Sequence, residues 1–149
     1  MNDKLVKEIF DACFIAKKVT EMMPELPKDM KPRHIHVIDA IYTCKKNKEL
    51  VCVSDISNAL NITTPSVTKL IKELEKKDVV EKIECKEDKR ITYLELTTYG
   101  KELYKVFVEE YHSKVAKVLN NISDEEAKTF IKVADEVYSL IKNNIMEDN

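Results

Sequence analysis
The sequence predicts a mainly α fold carrying one small β-hairpin wing. Apolar residues recur at i, i+3, i+4 and i+7 through much of the chain, the pattern of amphipathic helices. Two short runs rich in β-branched residues, Val79–Glu84 and Ile91–Leu96, flank the charged hexapeptide Cys85–Arg90, as strands flank the tip of a hairpin. One glycine and four prolines in 149 residues leave little room for long irregular loops. The length fits a single domain, 1–149, and 44% hydrophobic with 35% charged residues is ordinary for a soluble, helix-rich chain.

Residues 3–22 read as the first helix. Leu5, Ile9, Ala12 and Ala16 form one stripe and Val6, Phe10, Cys13 and Phe14 an adjacent one, an apolar arc wide enough for two neighbours. Pro24, Pro27 and Pro32 end it and punctuate the connection. Pro32 suits the first turn of a second helix running to about Lys46, with Ile35, Val37, Ile38, Ile41 and Tyr42 as core candidates. Lys45–Glu49 is a polar turn, and Leu50–Val53 is a candidate third strand beside the hairpin.

Ser54–Leu60 reads as a short helix, with Ser54 as N-cap and Ile56, Ala59 and Leu60 pointing inward. Only Asn61, Ile62 and Thr63 follow before Thr64, an N-cap candidate, and Pro65, which fits the first helical position. In the helix that starts there, Val67, Leu70, Ile71 and Leu74 make one apolar stripe. At about 100° per residue the opposite side carries Pro65, Lys69, Lys72 and Lys76, with Ser66 and Thr68 on its flanks. So short a connection forces the two helices to cross steeply, as in a helix-turn-helix. Helix, turn, helix and a hairpin with a charged tip make a winged helix-turn-helix, here residues 32–97.

These residues carry a resemblance to the MarR family of bacterial transcription regulators. The stretch SVTKLIKELEKKDVVEK (Ser66–Lys82), the wing tip Asp88-Lys89-Arg90 and the exit LTTYGKEL (Leu96–Leu103) are similar to that family's recognition helix, Asp-x-Arg tip and Leu-Thr-x-x-Gly turn. The family's glycine after the recognition helix is Asp78 here. Asp tolerates a left-handed, helix-ending conformation better than most residues other than glycine. The resemblance implies a non-enzymatic repressor that binds double-stranded DNA. It further implies that Arg90 enters a minor groove with Asp88 helping to hold it, and that a small, often phenolic effector releases the operator.

Beyond the wing, Thr98–Leu119 reads as a long helix broken by Asn120, Asn121 and Ile122. Ser123 with Glu126 gives a capping box for a final helix to about Ile145. A winged module needs neither. With the first helix they supply more apolar surface than one small core covers, so residues 1–31 and 98–149 are expected to build an obligate homodimer. Two recognition helices related by a two-fold axis would read a pseudo-palindromic operator. The candidate DNA contacts are Ser54, Thr64, Pro65, Ser66, Thr68, Lys69, Lys72, Asp88, Lys89 and Arg90. Ser66, Thr68 and Lys69 are placed for base edges and Lys72 for phosphate.

The net charge of -2 argues against a general affinity for nucleic acid. Lys69–Arg90 holds eight basic residues (Lys69, Lys72, Lys76, Lys77, Lys82, Lys86, Lys89, Arg90) against seven acidic ones (Glu73, Glu75, Asp78, Glu81, Glu84, Glu87, Asp88). DNA affinity must therefore come from the placement of charge. A winged module used for protein contacts is the alternative, and steep salt dependence of DNA affinity separates the two.

Cys13, Cys44, Cys52 and Cys85 show no C-x-x-C pairing, so disulfides are not expected. Cys13, followed by Phe, stands where a peroxide-sensing branch of the family carries a reactive cysteine. Its expected role on an apolar face is a small core residue, with redox sensing as an alternative effector mode. A zinc-responsive branch of the family suggests His34, Glu109 and His112 as metal candidates. His34 and His36 diverge by about 200° on a helix and do not readily share an ion, so ordinary histidines are the expectation. No cofactor is expected. A single glycine leaves no phosphate loop, and no catalytic triad or carboxylate pair is evident. The N-terminus carries acidic residues and lacks a signal-peptide core, and no apolar run approaches a membrane span, so a cytoplasmic location is expected.

Overall fold
Side-chain caps and two left-handed residues set the boundaries of several elements. The structure, a computed structural model, describes residues 1–146. In chain order it has α1 (Asp3–Glu21), α2 (Pro32–Asn47), α3 (Val53–Leu60), α4 (Thr64–Lys76), β1 (Val80–Glu84), β2 (Thr92–Leu96) and α5 (Thr98–Tyr104). A π-helical turn (Lys105–Glu110), α6 (Tyr111–Val118), a 3₁₀ turn (Leu119–Asn121), α7 (Asp124–Ile141) and a second π-helical stretch (Lys142–Met146) complete it. The chain divides into two compact units, one of residues 1–112 and one from Ser113 onward.

In the first unit α2 is the central helix, packed by α3, α4, β2 and α5. Ile35, Val37, Ile38 and Ile41 from α2 are fully buried with Val51, Ile56, Val67, Ile71, Leu74, Val79 and Leu94. Tyr42 is half-buried and stacks on Tyr104 with ring centroids 3.6 Å apart. The hairpin pairs β1 and β2 antiparallel in the register Val80↔Leu96 to Glu84↔Thr92.

The turns follow from backbone chemistry. Asn61, at φ 54°, ends α3 in the left-handed region, and Asp78, at φ 56°, does the same after α4, as expected of an Asp standing where the family that the chain resembles carries glycine. The Thr97 hydroxyl receives the Gly100 N–H at 3.0 Å and caps α5. Gly100 is there because a Cβ at this position would collide with the Val79 carbonyl oxygen.

Four local expectations are corrected. The cap of α3 is Cys52 and not Ser54, because Cys52 is held extended by its bridge to Tyr93 while Asp55 reaches back to its N–H at 2.9 Å. Ser54 consequently lies in the first turn, with its hydroxyl 3.0 Å from Cys52 Sγ. The cap of α4 is Thr63 and not Thr64. Thr64 is already helical, and Pro65 one position later still costs no hydrogen bond, since the first four N–H groups of a helix lack intrahelical partners. Leu50–Val53 forms no third strand: Val51 accepts the Leu94 N–H at 2.7 Å and Cys52 makes one isolated bridge, but Val53 already belongs to α3. Ala59, expected inward, is exposed.

In the second unit the Ser123–Glu126 capping box opens α7. The Ser123 N–H donates to Glu126 Oε2 at 2.9 Å, and the Glu126 N–H donates back to Ser123 Oγ at 3.2 Å. This unit has no buried residue in α7, and Val118, Leu119, Ile122, Phe130, Ile131 and Leu140 are all exposed. The same holds for α1 in the first unit, where Leu5, Val6, Phe10, Phe14, Ile15 and Val19 are exposed. Among the described residues no helix is long and apolar enough to cross a membrane.

Candidate nucleic-acid interface
The apolar stripe of α4 fixes which of its residues face outward. Val67, Ile71 and Leu74 are buried under α2 and α3, so Thr64, Pro65, Ser66, Lys69, Lys72 and Lys76 stand on the other side. Thr68 is half-buried at the edge of that face. Ser66 Oγ lies 2.9 Å from the capping Thr63 Oγ1, which orders the first turn of the helix. The outward surface of α4 thus starts with hydroxyls and continues with three lysines about one helical turn apart.

At the wing tip the carboxylate of Asp88 forms a clamp on Arg90. Asp88 Oδ1 accepts from the Arg90 backbone N–H at 3.0 Å and from Nε at 3.1 Å, while Oδ2 accepts from Nη2 at 3.0 Å. The two bonds from Nε and Nη2 present the guanidinium in one orientation, and the backbone bond fixes the loop under it, while the Arg90 side chain is 90% exposed. These bonds hold the Asp88 carboxyl below the usual carboxylate range. The tip closes through the Ile91 N–H on the Asp88 carbonyl, and Lys89 is exposed beside it.

The remaining candidates are placed differently. Cys13 is exposed on α1 and is not a core residue of this unit, because the apolar face it shares is uncovered in a single chain. Among the described residues His34 is the buried polar residue of the core, 2% exposed, and both ring nitrogens are engaged. Nδ1 accepts the Lys31 N–H at 2.9 Å, and Nε2 lies 2.6 Å from Glu73 Oε2 on α4. Glu109 and His112 are exposed, and among the described residues no group of three metal-ligating side chains comes together. The Glu73 partnership carried no signal in the sequence, since the two residues are 39 positions apart. A groove of about 320 Å³ between α2, β2 and α5 is lined by Tyr42, Lys45, Lys46, Glu95 and Lys101, with Lys46 Nζ 4.8 Å from the centre of the Tyr42 ring.

Known proteins are similar to this chain in sequence and fold. The MarR family model matches residues 38–92. YetL, an HTH-type transcriptional repressor of Bacillus subtilis (strain 168), is 26% identical over 134 residues, covering 88% of this chain and 79% of its own. Staphylococcus aureus MarR in complex with salicylate and kanamycin superposes with a TM-score of 0.69 at 23% identity, over 95% of each chain. Streptococcus pneumoniae FabT in complex with DNA gives 0.63 at 24% identity, again over 95% of each. At such identities the structural likeness is one of fold.

Proposed function
This chain belongs to the MarR family of winged-helix transcription regulators, and we propose that it acts as a homodimeric repressor of a pseudo-palindromic operator, released by a small-molecule effector. In this reading residues 32–97 are the DNA-binding module, while 1–31 and 98–149 form the dimerisation region, whose last three residues lie outside the described ones. Ser66, Thr68 and Lys69 read base edges in the major groove. Lys72 and Lys89 meet phosphate, Thr64, Pro65 and Ser54 lie against the backbone, and Arg90 enters the flanking minor groove.

The observation that carries this reading is the Asp88 clamp on an otherwise exposed guanidinium. A surface arginine that served only solubility would gain nothing from having its guanidinium oriented by two bonds to one carboxylate. The uncovered apolar faces of α1 and α7 support the homodimer, since exposed patches of that extent mark association surfaces. For the effector we propose a small aromatic acid, of the kind that the Staphylococcus aureus relative holds. The groove beside Tyr42, with Lys46 and Lys101, has the ring stack and positive charge to suit one.

The test is DNA affinity by fluorescence anisotropy on the promoter next to the protein's own coding sequence, across a salt series, for the parent and Arg90→Ala. Tight, steeply salt-dependent binding that weakens about tenfold or more in the variant supports the reading. Binding by both proteins no tighter than to random duplex, on that promoter and across a genomic library with and without aromatic acids, overturns it in favour of a module for protein contacts.

A further inference from the structure
His34 is a buried imidazole placed between the start of α2 and the middle of the recognition helix. Its Nδ1 accepts the backbone N–H of Lys31, the residue that caps α2. A nitrogen that accepts carries no proton, so the ring proton sits on Nε2 and is donated to Glu73 Oε2 at 2.6 Å. The backbone of α2 thereby fixes the tautomer that grips α4.

What is gripped is an acidic side chain four residues after Lys69, on the same side of the helix. Residues three and four apart are neighbours on a helix surface, so a Glu73 carboxylate released from His34 would have Lys69 within reach on one side and Lys76 and Lys77 on the other. Glu73 is held below the usual carboxylate range first by its bond from His34, with Lys69 and Lys31 adding to it, so the three charges sense one another. Lys69 is exposed, and a Glu73 side chain released from His34 would be free to pair with it.

We propose that His34 is a positioning residue for DNA binding: it turns the Glu73 carboxylate away from Lys69, leaving that lysine's charge to the DNA. The inference rests on the DNA face described above. It assigns the buried histidine a role in the charge that α4 presents, beyond its contribution to packing.

The experiment compares operator affinity and its salt slope for the parent, His34→Asn, Glu73→Gln and the double variant, with thermal unfolding of each. Asn at this position retains an acceptor for the Lys31 N–H, as Asp55 does for Cys52 in α3, yet is too short to reach Glu73. His34→Asn is expected to weaken binding about tenfold and to flatten the salt slope by about 2, because each protomer of the dimer then neutralises one phosphate fewer. Adding Glu73→Gln should restore both without restoring thermal stability. A histidine that only packs would lower stability, and Glu73→Gln would rescue nothing. Equal affinity and slope in parent and folded His34→Asn, or no rescue in the double variant, overturns the proposal.

Should His34→Asn not fold, Glu73→Asp against Glu73→Gln makes the same comparison at a partly exposed position. The shorter carboxylate loses His34 and should weaken binding, whereas the neutral side chain should not. Equal affinities of those two variants would count against the proposal. Failure of the DNA reading itself looks different, because the parent would then show no operator binding for any variant to change.

Discussion

The Thr97 hydroxyl donates to the carbonyl of Asp78 at 2.6 Å, joining the residue that caps α5 to the residue that ends α4. The same oxygen accepts the Gly100 N–H, so one side chain fixes the exit from the recognition helix and the entry to the helix beyond the wing. Thr97→Val removes both bonds at nearly constant volume and should cost about 1–2 kcal/mol in urea denaturation, while Thr97→Ser should retain most of the stability. An unchanged midpoint in the valine variant would show that neither bond matters.

Asp78 holds φ at 56°, where an L-residue is strained and glycine is not. Asp78→Gly should therefore raise stability, by about 0.5–1 kcal/mol once the greater freedom of glycine in the unfolded chain is deducted. The DNA affinity should stay as it is, because Asp78 lies beyond the exposed row of α4. A destabilised variant would mean that the Asp side chain makes a compensating bond.

Asp55 closes the capping box of α3 and is held below the usual carboxylate range, first by the Cys52 backbone N–H, with the Cys52 thiol and Lys48 adding to it. A depressed folded value means that the ionised carboxylate stabilises the fold. That contribution is complete above the ordinary carboxylate range and is lost as the pH falls through the lower, folded value. Asp55→Asn should lower stability at neutral pH by about 1 kcal/mol and make the stability of the variant fall less steeply in acid. Denaturation midpoints for both proteins from neutral pH downward measure this, and parallel acid limbs would refute it.

The apolar faces of α1 and α7 make a separate prediction about assembly. Phe14 is 65% exposed and Ile131 60% exposed in the single chain. Sedimentation should show the parent as a dimer, and Phe14→Glu with Ile131→Glu should shift it to monomer and abolish two-half-site DNA binding. The core around Ile38 and Ile71 lies elsewhere, so helical content in the first unit should survive. A monomeric parent would leave those faces without the partner proposed for them.

Much of this protein is written in short-range sequence signals. The period of Val67, Ile71 and Leu74, the Ser123–Glu126 box, the strand pair around a charged tip and the left-handed Asp78 all depend on residues close together in the chain, where spacing alone decides what touches. The tip motif Asp88-Lys89-Arg90 was legible for the same reason, and the clamp joins residues only two apart. Tertiary structure decided what local signals leave undetermined. It selected Cys52 over Ser54 as the cap of α3, because the bridge to Tyr93 extends the chain there. It left Cys13 and the rest of the α1 face uncovered in the single chain, since amphipathic spacing specifies that a face is apolar and not what covers it. It also brought His34 to Glu73 across 39 residues, a pairing that depends on how α4 lies on α2 and that no periodicity can announce.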